Sequence, residues 1–146
     1  MGETKSIKVC ALQMNSETGN VRANYKKVQD IVSKELPADA DFLILPEVWT
    51  VGWSCKDFPA AAEYLENSET VQFLSDLAKQ YNVNIIGGSF IRKMKQGKSL
   101  NTCPVIDRCG RLVATYSKNH LYSYCGCSEG YYIKGGDYPV IVTLDG

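Results

Sequence analysis

Apolar residues along the chain fall into blocks whose spacing changes twice. Ile7 to Met14 is almost continuously apolar, the pattern of a strand covered on both faces. Val21, Tyr25, Val28, Val32 and Leu36 then recur every three or four positions, which predicts an amphipathic helix closed by Pro37 and the acidic run Asp39 to Asp41. Phe42 to Leu45 predicts a second strand. Val71, Leu74, Leu77, Ala78 and Tyr81 predict a second helix, with Ser68 placed as its N-cap. Val83 to Phe90 predicts a third strand, interrupted by Gly87-Gly88. Beyond it the helical period disappears. Met94 to Lys98 and Asp107 to Gly110 have the composition of turns, and strands Leu100 to Ile106 and Arg111 to Ser117 flank the second of them. A loop rich in Tyr, Gly and Cys runs from Asn119 to Tyr138, and Val140 to Leu144 predicts a last strand. Strands alternating with helices and followed by a meander imply a mixed α/β sheet. Ligands of such sheets sit beyond the carboxyl ends of strands, where Glu47 and Lys118 both fall.

Composition narrows the function. The 146 residues suit one domain, and 16 basic residues balance 16 acidic ones without a basic stripe, which argues against nucleic acid as a partner. No apolar run approaches a membrane span, and the start MGETKSIKVCALQM lacks the core of a signal peptide, so a cytoplasmic protein is expected. Gly2 and Ser6 fit a bare myristoylation pattern, which is short enough to arise by chance. The six cysteines read as free, mostly buried thiols. Cys103, Cys109, Cys125 and Cys127 lack zinc-site spacing, and His120 is the single histidine.

The stretch DFLILPEVWTVGWSC is unusual because an apolar strand runs through Pro46 into Glu47 and is followed by Trp49 and Trp53. Either Glu47 is a loop carboxylate beside a hydrophobic lid, or the indoles hold it partly desolvated, as suits a general base. Lys118, taken alone, reads as a lysine reaching water past a strand end.

Taken together, PEVWTVGW, NTCPVIDRCGRLVATYSKNHLY and SEGYYIKGGD resemble, in order and spacing, the nitrilase superfamily of carbon–nitrogen hydrolases. Leu45-Pro46-Glu47 matches its first motif, Tyr116 to Leu121 its K-x-H-L strand end, and Glu129 to Tyr132 with Gly135-Gly136 its third segment. The opening VCALQM, the NIIGGSF strand and the N-T…V-I-D-x-x-G-x-L hairpin also fit. The resemblance implies half of an α-β-β-α four-layer sandwich and cysteine-dependent hydrolysis of an amide or carbamoyl amine. In that mechanism Glu47 is the general base, Lys118 the oxyanion stabiliser and Glu129 the second carboxylate, aligning Lys118 or the substrate. No cofactor is implied; the partners implied are a small-molecule amide and further copies of the same chain, a homo-oligomer. Tyr122, Tyr124, Tyr131 and Tyr132 are candidates for an aromatic entrance.

One part of the pattern is not matched. The family's nucleophilic cysteine follows a later strand, whereas this sequence ends at Gly146 and none of its cysteines stands in the matching place. Residues 1–146 are therefore expected to be the N-terminal part of one hydrolase domain, inactive alone, with the nucleophile outside this chain. The alternative is a non-catalytic binding module on the same half-fold. A nucleotide-binding domain finds no support, because Gly87-Gly88 forms no phosphate-binding loop.

Overall fold

The computed structural model describes residues 6–124 and 127–145. The elements run β1 (Val9–Ala11), α1 (Val21–Glu35), β2 (Phe42–Ile44), α2 (Phe58–Ala61), β3 (Glu63–Tyr64), α3 (Glu69–Tyr81) and β4 (Asn84–Ile86). They continue with β5 (Phe90–Lys93), β6 (Ser99–Ile106), β7 (Leu112–Ser117), β8 (Ser123–Tyr124), β9 (Cys127–Ser128) and β10 (Ile133–Lys134). Among the described residues no helix is long and apolar enough to cross a membrane.

Eight strands form one mixed sheet in the order β1-β2-β4-β6-β5-β3, with β7 and β10 also paired to β6. β1, β2 and β4 are parallel, while β6 runs antiparallel to β4, β5 and β7. The parallel part follows from the helical connections, since parallel neighbours need a crossover. β8 and β9 form a separate two-stranded ribbon.

Both long helices start where local chemistry satisfies their free N–H groups. Asn20 accepts from the Ala23 N–H at the start of α1, and Ser68 from the Val71 N–H at the start of α3. Val28 and Val32 of α1 and Leu74, Leu77 and Ala78 of α3 pack with Leu43, Ile85 and Ile106 on one face of the sheet. Trp49 completes this core, fully buried against Tyr25 and Phe73, with its indole N–H donated to the Gly87 carbonyl at 3.0 Å.

Several expectations need correction. β1 is an edge strand, and Val9 is 54% exposed where burial on both faces was expected. Val9, Phe42 and Ile44 share the sheet face that the helices leave open. The strand expected over Val83 to Phe90 is two strands, broken at Gly87-Gly88. Pro104, which has no N–H to offer a ladder, lies opposite the break in β6 and accepts from the Gly87 N–H at 2.8 Å. A Cβ on Gly87 would come within 2.7 Å of both Leu74 and Pro104, so only glycine fits there. No strand forms at 140–144. Ile141 is 97% exposed, and the apolar run there pairs with no strand among the described residues. Of the thiols expected to be mostly buried, Cys55 is buried, Cys10 and Cys103 are half-buried, and Cys109 is exposed at the tip of a turn. Gly2, Cys125 and the Cys127 side chain lie outside the described residues.

Candidate functional site: a carboxylate–ammonium–carboxylate cluster

Glu47 is fixed from both sides of the chain. Leu45 still donates to the Ile86 carbonyl at 3.0 Å, Pro46 accepts from the Ser89 N–H at 3.2 Å, and the Val48 N–H donates to the Ser89 hydroxyl at 2.8 Å. Gly88, at φ +61°, lets the exit of β4 pass this segment: a Cβ there would stand 1.9 Å from the Pro46 carbonyl oxygen. Val48 itself has φ 45°, a left-handed conformation that a β-branched residue adopts only under constraint. That turn sends Val48 into a second apolar cluster with Val51, Cys55, Phe58, Ile91 and Ile133, while Trp49 enters the main core.

Lys118 follows β7 directly. Its N–H donates to the Asn101 carbonyl in β6 at 2.9 Å, and its own carbonyl accepts from Gly136 at 2.9 Å. Glu129 opens the short 3₁₀ turn after β9. It is completely buried, and its Oε2 accepts from the Tyr122 N–H at 2.6 Å.

These three segments meet. Lys118 Nζ lies 2.8 Å from Glu47 Oε1 and 3.0 Å from Glu129 Oε2, so one ammonium bridges two carboxylates. Burial works against the Lys118 charge, but the hydrogen bonds to Glu47 and Glu129 more than offset it and hold its pKa above the ordinary lysine value. Glu129 Oε1 is buried with no hydrogen-bond partner among the described residues. Chemically, the cluster offers a cation held between two anions, with an acceptor oxygen at each end.

The two indoles separate, and of the two readings of Glu47 the structure favours a loop carboxylate over one desolvated by both indoles. Trp49 belongs to the core, and the Glu47 side chain is 49% exposed, so this chain alone does not enclose it. Trp53 stands instead over Lys118, with the ammonium 5.4 Å from its ring, and meets Tyr122 edge-on at 5.5 Å. Tyr122 meets Tyr124 edge-on in turn at 6.4 Å, so of the four candidate tyrosines Tyr122 borders the cluster and Tyr124 stands behind it. Tyr131 is 78% exposed, and Tyr132 is exposed as well. Sequence reading missed Asn101, whose side-chain amide donates to Glu47 Oε1 at 2.8 Å. Its signal was available: a polar amide inside the strand LNTCPVI, followed by an otherwise largely apolar run.

The raised Lys118 value has a consequence at high pH, and Tyr25, whose hydroxyl burial pushes upward, has the same one. Both groups release protons in the unfolded chain before they do so in the folded one. Their contribution is complete below the unfolded values of 10.0 and 10.5 and is lost as pH rises through the folded values. The urea midpoint is expected to fall steadily above about pH 10, and less steeply in Tyr25→Phe.

Comparison with known proteins agrees with this architecture. Residues 8–146 match the carbon-nitrogen hydrolase family. The 2-oxoglutaramate amidase of Bacillus subtilis is 30% identical over 139 residues, covering 94% of this chain and 51% of that protein. The chloroplastic omega-amidase of Arabidopsis thaliana is 29% identical over 150 residues, covering 96% and 39%. The chain thus spans about half the length, or less, of these relatives. Saccharomyces cerevisiae Nit3, a member of branch 10 of the nitrilase superfamily, shares the fold with a TM-score of 0.80 at 23% identity, covering 95% of this chain and 52% of Nit3. With the family matched across nearly its whole length, the chain belongs to the carbon–nitrogen hydrolases.

Proposed function

We propose that these 146 residues carry the base and the oxyanion-stabilising cation of a cysteine-dependent amidohydrolase, whose nucleophile is supplied by sequence outside this chain. The observation that supports this most directly is the Glu47–Lys118–Glu129 cluster, assembled from three separate segments at 2.8 and 3.0 Å. Glu47 takes the thiol proton as the sulfur attacks the carbonyl carbon. The oxygen then gains negative charge next to the Lys118 ammonium, an interaction typically worth about 3–4 kcal/mol in the transition state. Glu47 returns the proton to the departing amine or ammonia, and the thioester is hydrolysed by a water that Glu47 deprotonates. Glu129 holds Lys118 in place. Among the described cysteines, Cys103 is a poor alternative nucleophile, since burial pushes its thiol up to about 11.

The substrate is a small amide or carbamoyl amine, in line with relatives named as amidases and a beta-ureidopropionase. The working form is cytoplasmic and contains more than one copy of the chain. The open apolar sheet face, with Val9 and Ile44 exposed, supports association. The half-exposed Glu47 favours a second reading, a binding module without chemistry.

Ammonia release from small amides, carbamoyl amines and nitriles separates the two. The 146-residue chain alone is expected to be silent, and a form carrying the cysteine-bearing half to be active. Glu47→Gln in that form should lose roughly 10²–10⁴-fold in kcat/KM. Full activity of Glu47→Gln would refute the role given to the carboxylate. Silence of the longer form on every substrate would favour the binding module.

A further inference from the structure

Asn101 sits in the interior of β6 and is only 2% exposed. Two of its groups reach the cluster. The side-chain amide donates to Glu47 Oε1 at 2.8 Å, and the main-chain carbonyl accepts from the Lys118 N–H at 2.9 Å. Lys118 Nζ donates to that same Oε1, also at 2.8 Å. One buried residue therefore holds the side chain of one charged group and the backbone of the other.

The two donors differ in what they fix. A lysine ammonium is a point charge on a flexible stem and constrains the direction of a carboxylate weakly. An amide on a central strand is held by its ladder and specifies direction. An asparagine at this place is otherwise unfavourable, because strands favour β-branched and aromatic side chains and a buried amide must be satisfied. Its Nδ2 is satisfied by a glutamate 54 positions away, at the end of a different strand.

We infer that Asn101 is the positioning residue of the base: by occupying Oε1 together with Lys118, it turns Oε2 of Glu47 toward the reacting thiol as the oxygen that takes and returns the proton. This rests on the base role proposed for Glu47. Oε1, already accepting from two donors, has little capacity left for a proton. Oε2 accepts no hydrogen bond among the described residues. Without the amide, the carboxylate keeps its ion pair but rotates about its own bonds, so proton transfer suffers while substrate binding does not.

Two measurements test this. In the 146-residue chain, the Asn101 side-chain amide protons are expected downfield in the NMR spectrum, and Glu47→Ala should return them to the position of a solvated amide. An Asn101 amide indifferent to Glu47→Ala overturns the inference. In a form carrying the cysteine-bearing half, Asn101→Ala should lower kcat roughly 10- to 100-fold and leave KM within about twofold. Asn101→Ser, which keeps a short donor, should recover part of the loss. Unchanged kcat in Asn101→Ala, or a rise in KM alone, overturns the positioning role. Should Asn101→Ala fail to fold, the amide resonance still decides, because that measurement leaves Asn101 in place. The two readings fail separately: an active Glu47→Gln removes the base itself, whereas an inactive Glu47→Gln beside a fully active Asn101→Ala removes only the positioning.

Discussion

Exchange of Lys118 for alanine is expected to destabilise the 146-residue chain by about 3–5 kcal/mol and, in a form carrying the cysteine-bearing half, to abolish the hydrolysis proposed above. The first effect follows from Glu129. That side chain is completely buried and meets the Lys118 ammonium at 3.0 Å, so the substitution strands a buried carboxylate without its cation. The Glu47 end of the bridge contributes little by comparison, because its side chain is half exposed and water can replace the ion pair. Adding Glu129→Gln to Lys118→Ala removes the stranded charge and should recover most of the lost stability, with no recovery of activity. Urea unfolding of the two single variants and the double variant measures the coupling. Additive losses would show that the two residues do not interact.

Trp49→Ala should be as damaging to the fold. The indole is fully buried among Tyr25, Phe73 and the aliphatic core, and its N–H bonds the Gly87 carbonyl at 3.0 Å. Truncation leaves a large cavity and an unpaired carbonyl, a loss of about 3–5 kcal/mol. Domains of this size are stable by only about 5–15 kcal/mol, so the variant should melt far earlier or fail to accumulate folded protein. Trp53→Ala makes the informative contrast. That ring is 46% exposed, and its removal should change the unfolding midpoint little. Equal losses in the two variants would refute the separation of a core indole from a site indole.

That separation marks the limit of what the sequence discloses. The helices were legible because their signals are local: Val28 and Val32 recur at the helical period, and Ser68 stands where an N-cap belongs. Glu47 and Lys118 were legible as charges at strand ends, and the structure brings them together. Trp49 and Trp53 could not be told apart, since their placement depends on Val48 adopting a left-handed backbone that its side chain disfavours. The split at Gly87-Gly88 was visible as an interruption, but its partner Pro104 lies across the sheet and not along the chain. Asn101 escaped for the same reason. Its carboxylate partner is distant in sequence, and a single polar residue in a strand does not announce what it bonds. Val140 to Leu144 misled in the opposite direction, because a short apolar run records strand propensity and not whether a neighbouring ladder pairs with it.

The central position of β6 has a mechanical corollary. It is flanked by β4 and β5 and by β7 and β10, Lys118 is the direct continuation of β7, and Glu129 lies a few residues before β10. Glu47 is tethered to the same ladder through the Asn101 amide. The spacing of the three charges is thus set by backbone pairing in the middle of the sheet together with the Ser89 and Tyr122 hydrogen bonds that hold the Glu47 and Glu129 loops. Softening of the turns at residues 94–98 or 107–110 leaves that spacing intact. Rupture of the innermost ladder disperses the charges.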